Sequence, residues 1–214
     1  MGREPDRRTG GPGRGPAMPE RRRLLRGALG TAPLVLSLKA RPVLGSGGCT
    51  VSGLLSGNLS GPAPSCEGCT PGYWKNHPGS WPAPYDPGTC GSGKGKGKGA
   101  GCNTPGGWSG GTRFADVFGT GGLAHFALSA DTVAAIGGDA SMLTLMQVLW
   151  LGGDEDPYRL GAHAVAALLN AAHGGVSFGY TPGEIIDLFD AGYATDPEGT
   201  KNGFQLLNEQ GCPL

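Results

Sequence analysis

The chain has 214 residues, of which 43 are glycine and 18 proline, and only 38% are hydrophobic. Glycine gives up the most backbone freedom on folding and brings no side chain to bury, so this composition excludes a large, uniformly packed core. It predicts one modest domain carrying irregular arms.

The net charge of +0 conceals a split. Residues 1–45 hold nine Arg and Lys39 against Glu4, Asp6 and Glu20, whereas residues 46–214 hold seven basic against fourteen acidic side chains. An acidic body excludes nucleic acid as the expected partner. The basic leader has another use. Arg21-Arg22-Arg23-Leu24-Leu25-Arg26 precedes a weakly apolar run over 27–38, the size of a signal-peptide core and too short to span a bilayer as a helix. These residues resemble a twin-arginine export signal, with Leu24 where that pattern favours phenylalanine. The expectation is a disordered extension plus signal peptide over 1–45, cleaved after Val43-Leu44-Gly45, so that the membrane is met only in transit. The exported product would then be periplasmic or extracellular.

All six cysteines, at 49, 66, 69, 90, 102 and 212, follow that leader, and an even count outside the cell reads as a disulfide framework. Six cysteines allow about fifteen pairings, among which sequence alone does not choose. Cys90 with Cys102 would close the Gly-Lys repeat between them at its base. Cys69 with Cys212 would tie the loop at 69–82 to the C-terminus, leaving Cys49 for Cys66. The competing reading is metal: Cys66, Cys69, His77 and Cys90 are residue types that suit a tetrahedral zinc ion. No other cofactor motif is present, neither a phosphate-cradling loop nor a dinucleotide fingerprint, and GxSxG and HExxH are absent too.

Residues 46–112 read as a Cys/Gly/Pro-rich arm, with a short strand over 50–55 at most. Within it, Cys69-Thr70-Pro71-Gly72-Tyr73-Trp74-Lys75-Asn76-His77-Pro78 and the following Trp81-Pro82 concentrate aromatics in a chain poor in bulk. The prolines forbid a continuous helix, but 73–77 can make a single turn. Two roles are open for these rings. They are wedges that pin the arm to a helical core, or they form a binding surface of Tyr73, Trp74 and Trp81 with Lys75, Asn76 and His77 as polar contacts, facing a glycan or other cell-surface polymer.

From residue 113 the pattern becomes helical. Phe114, Val117 and Phe118 mark a short amphipathic piece; Ser129 can cap a turn through Ile136; Asp139 can cap a helix carrying Met142, Leu145, Met146, Leu149 and Trp150. Asp156-Pro157 opens a run over 157–172, Thr181 with Glu184 makes a capping box, and Asp196-Pro197 starts the last helix. The alanine-rich run over 157–172 is apolar nearly all round and should lie at the centre. His163 and Asn170 share one of its faces and His173 lies nearby, as a structural hydrogen-bond seam or a site. The acids at 154–156 sit just ahead. A metal-dependent hydrolase using His77, His163 and His173 with those acids is the alternative function.

The CTPGYWKNHP stretch, the His163-Ala164-Val165-Ala166-Ala167-Leu168-Leu169-Asn170-Ala171-Ala172-His173 stretch and the terminal Gly211-Cys212-Pro213-Leu214 together resemble a group of exported bacterial proteins and extracellular modules that share a GYWKNH-type motif. The resemblance spans residues 66–214, expected as one folding unit. It implies secretion and a shared fold, and it brings no catalytic residues with it. The expected fold is mainly α: a small disulfide-stapled helical domain over 113–214 with a long Gly/Pro-rich irregular N-terminal arm. The expected function is an exported, non-enzymatic structural or binding module with no cofactor.

Overall fold

A computed structural model describes residues 49–56, 65–91 and 101–214. The leader and most of the Gly-Lys repeat lie outside the described residues. The described chain is mainly helical, and its helices are α1 Val51–Ser56, α2 Pro71–Asn76, α3 Phe114–Phe118, α4 Ala130–Ala135, α5 Leu145–Trp150, α6 Leu160–Ala172, α7 Pro182–Gly192 and α8 Pro197–Asn208. A two-stranded antiparallel ribbon pairs β1 Thr89–Cys90 with β2 Trp108–Ser109.

Helix α6 is the axis. From Leu160 to Asn170 every residue but His163 is buried, and α5, α7 and α8 pack around it. Its alanines let the neighbours come close. At Gly161 even a methyl group would stand 2.5 Å from the Phe126 ring, so the bare backbone there is required by packing. Beside this axis an aromatic cluster fills the core: Phe114 stacks on Phe118 at 4.6 Å, and Phe189 meets Phe118 edge-on at 5.0 Å. Ring pairs in such offset and T-shaped arrangements add to the burial of their apolar area.

The caps explain most helix starts. Ser129 accepts from the Thr132 amide at α4, and Thr181 with Glu184 forms a reciprocal capping box at α7. Asp196 accepts from the Gly199 amide at α8. Two starts differ from expectation. Asp139 caps only a short 3-10 turn, Ala140–Met142, whereas α5 begins later under a capping box of Thr144 and Gln147. Leu143 leaves the helical region between them, at ψ 123°, and divides what the apolar spacing joins into one helix.

The run over 157–172 is likewise broken. Pro157–Arg159 is a 3-10 turn in which Tyr158 and Arg159 take positive φ of 57° and 64°, and the α-helix starts at Leu160. Asp156 imposes this geometry. Its carboxylate reaches past the turn to accept from the Gly161 amide at 2.8 Å and the Ala162 amide at 2.9 Å, satisfying two of the free N–H groups at the helix start. These bonds offset a left-handed conformation that costs roughly 1–3 kcal/mol for a residue with a side chain.

The arm is held covalently and by close contacts. Cys49 pairs with Cys66, Cys69 with Cys212 and Cys90 with Cys102, leaving no free thiol. The segment expected as a strand at 50–55 is instead helix α1: Thr50 caps it through the Gly53 amide, and Tyr180 Oη accepts from the Val51 amide at 3.2 Å. Among the described residues no strand pairs with this segment, and local hydrogen bonding decides. Gly68 bridges Gly211 so close to the Leu207 carbonyl that a Cβ would collide with it, which only glycine avoids. Among the described residues no helix is long and apolar enough to cross a membrane.

Candidate functional site

Thr70 accepts from the Tyr73 amide at 3.2 Å, and Pro71 opens helix α2 with φ already set, so Cys69 to His77 folds as one helical turn projecting its rings at fixed angles. The rings separate into an inner and an outer set.

Trp74 belongs to the inner set. It is 0% exposed, and its Nε1 donates to Asn170 Oδ1 at 3.1 Å. The same amide oxygen accepts from the Cys69 N–H at 2.9 Å, while Asn170 Nδ2 donates to the Cys69 carbonyl and to Asn208 Oδ1, each at 2.9 Å. Asn208 Nδ2 then donates to the His163 carbonyl at 2.9 Å. Asn170 is therefore a fully paired buried amide joining the arm, α6 and α8, beside the Cys69–Cys212 bond. The expectation that Trp74 contacts a ligand is corrected: it has no surface to offer, and it acts as the wedge. Asn170 is structural for the same reason.

Tyr73 and His77 form the outer set. Their rings stack 4.2 Å apart at 15°, and Tyr73 meets Trp74 edge-on at 5.2 Å. His77 Nδ1 donates to the Tyr73 carbonyl at 2.9 Å, which fixes the imidazole against the tyrosine, and Tyr73 Oη donates to Ser80 Oγ at 3.3 Å. Asn76 and His77 are exposed; Asn76 Nδ2 donates to the Gly72 carbonyl at 2.8 Å. Trp81 is half-buried and its Nε1 donates to the Trp74 carbonyl at 3.0 Å, so it braces the turn. Lys75 points elsewhere, its Nζ 4.5 Å above the Trp150 ring.

The two metal readings are not assembled. Cys66, Cys69 and Cys90 are each joined to a different cysteine, so none is a thiolate available to zinc beside His77. The hydrolase set is dispersed in its hydrogen bonding. His77 lies on Tyr73; His173, at the end of α6, accepts from the Gly175 amide through Nδ1 at 3.0 Å; His163 lies in the first turn of α6 with its buried Nδ1 unpartnered. Glu155 accepts from the Ser129 amide at 2.9 Å, and Asp154 is exposed. Among the described residues no group of three or more His, Cys, Asp or Glu is placed to share an ion.

Asp156 instead faces a residue that sequence reasoning passes over. His125 Nε2 donates to Asp156 Oδ1 at 3.0 Å, with the two side chains 3% and 0% exposed. With the Gly161 and Ala162 amides, this gives the carboxylate three donors, which is how a buried charge is tolerated. The pair links the turn Gly121–His125 to the start of α6 and is closed to any substrate. His125 lies in a glycine-rich stretch with no periodicity, so nothing local announces it.

Comparison with protein-family models, with curated proteins and with solved structures returns no match.

Proposed function

We propose that this is an exported, non-enzymatic structural or binding module that works in the periplasm or outside the cell, and that its outer ring pair meets a glycan or envelope polymer. The observation that carries the reading is the use of all six cysteines in three bonds, one of which, Cys69–Cys212, fastens the arm to the C-terminal end of the chain. Such a framework belongs to an oxidising compartment, because cytosolic thiols are kept reduced. The twin-arginine-like leader and the resemblance of residues 66–214 to exported proteins support the same destination.

The stacked Tyr73–His77 pair supports the binding role. A flat aromatic face accepts the C–H face of a sugar ring, and the exposed Asn76 amide and His77 imidazole offer polar groups to hydroxyls at its rim.

The test has two parts. Fractionation of the native host with mass mapping is expected to find the mature chain outside the cytoplasm, beginning near residue 46, with no free thiol before reduction. Sedimentation with purified envelope polysaccharide is expected to retain the wild type and to lose Tyr73→Ala. Recovery of folded protein from the cytoplasm with free thiols would overturn the location, and equal sedimentation of the variant would overturn the surface.

A further inference from the structure

Helices α6 and α8 share the most extensive helix–helix contact of the described fold, and His163 sits at that seam. Its position is unusual among the described histidines. Nδ1 is buried without a hydrogen-bond partner, although the rest of the ring keeps some exposure. The charges acting on it come from α8 and its C-cap, in Lys201 and Glu209, and from the turn leading into α6, in Arg159 and Asp156. Of these, Asp156 is already occupied by His125 and two helix amides. Lys201 bonds to Asn202 and Gln205, and Gln205 in turn to Glu209. A proton arriving on His163 would thus place a cation in a largely buried position beside Lys201 and Arg159, with Glu209 as a carboxylate counterweight that burial and Lys201 together outweigh.

We propose that the α6–α8 seam is an acid-sensitive latch, in which proton uptake by the His163 ring favours the release of α8 from α6. The released helix stays tethered, because Cys212 beyond its end is bonded to Cys69. Burial, assisted by Lys201, pushes the His163 imidazole from its ordinary 6.5 down to about 4. The sign follows. A histidine whose value is lowered in the closed state stabilises that state above pH 6.5, and the contribution is lost as pH falls toward 4. With the ordinary value regained on opening, the opening constant rises roughly 20-fold between about pH 7 and pH 5.

Hydrogen exchange on the full exported chain, corrected for the intrinsic pH dependence, reads this directly. Peptides from α8 are expected to open roughly 20-fold more at about pH 5 than at pH 7, and those from α7 far less. In His163→Gln the α8 increase should disappear. In Lys201→Met, which removes the half-buried cation nearest in effect to the ring, it should shrink, because the closed state then accepts the proton more easily. The proposal is overturned if α7 and α8 accelerate together, or if His163→Gln keeps the increase. Should His163→Gln fail to fold, an unchanged increase in Lys201→Met overturns it equally.

Discussion

The arm and the helical half of this protein reach order by different routes. From Phe114 to Asn208 the chain buries apolar side chains around α6, with Leu160, Val165, Leu168 and Leu169 all at 0% exposure. From Cys49 to Gly111 it has few such residues; among the described residues, those at 0% exposure are Cys69 and Trp74. What the arm lacks in bulk it replaces with sulfur bonds and one indole, bonded to a single buried amide. A glycine-rich segment without a core of its own is thus ordered by attachment to a core made elsewhere.

If that contrast is right, stability should fall most when the attachments between the arm and the core are removed, and less when a bond within the arm is cut. The largest effect is expected from Cys69→Ser with Cys212→Ser, since that bond spans a sequence separation of 143. The chain-entropy relation puts a loop of that size at about 4–5 kcal/mol, enough to unfold a marginal domain. Denaturant titration followed by tryptophan emission measures it. Retention of the wild-type midpoint would show that burial of Trp74 alone fastens the arm.

Trp74→Ala comes next, at about 3–5 kcal/mol, because it leaves a cavity and also strips a donor from Asn170. Trp81→Ala should cost much less, as that ring is only half-buried and bonds to a backbone carbonyl at the rim. Equal losses for the two would erase the division into inner and outer rings. Asn170→Leu follows at about 2–4 kcal/mol, since the Cys69 amide and the Trp74 indole would both be left without an acceptor in the interior.

How much of this was legible beforehand depends on range. Helix caps are three-residue signals, so Thr181–Glu184, Ser129 and Asp196 could be read directly. The mainly helical, disulfide-stapled fold followed from periodicity and cysteine count. Apolar spacing misled where a backbone break separates two capped pieces, as at Leu143, and where Asp156 reaches over a left-handed turn to Gly161. Buried polar pairs were least legible. His125 meets Asp156 and Asn170 meets Asn208 only because distant elements pack, and no spacing rule links positions 31 or 38 apart. The role of Trp74 was open for the same reason: its partner is 96 residues away.

The ribbon sharpens the comparison at smaller scale. Cys90–Cys102 spans 12 residues and anchors β1, and the partner strand β2 is tied to the core by Gln147 Nε2, which donates to the Trp108 carbonyl at 3.0 Å. Replacing both cysteines by serine is expected to cost about 2–3 kcal/mol by chain entropy. It should leave α6 protected in hydrogen exchange while β1 and β2 open, a local release that the Cys69–Cys212 variant would not show.

The smallest change in stability is expected at the outer ring pair, and that is why it is diagnostic. His77 is exposed, and its contacts are a stacked tyrosine and the carbonyl of its own turn. His77→Ala should move the unfolding free energy by no more than about 0.5 kcal/mol, the ordinary range for a surface position. If the pair serves only to brace the arm, polymer sedimentation should be as insensitive as the melting curve. If it meets a ligand, binding should fall severalfold while the melting curve stays in place, because the stacking face is lost and the fold is not. A drop in stability as large as that of Trp74→Ala would instead place His77 with the inner set and leave no outer surface to assign.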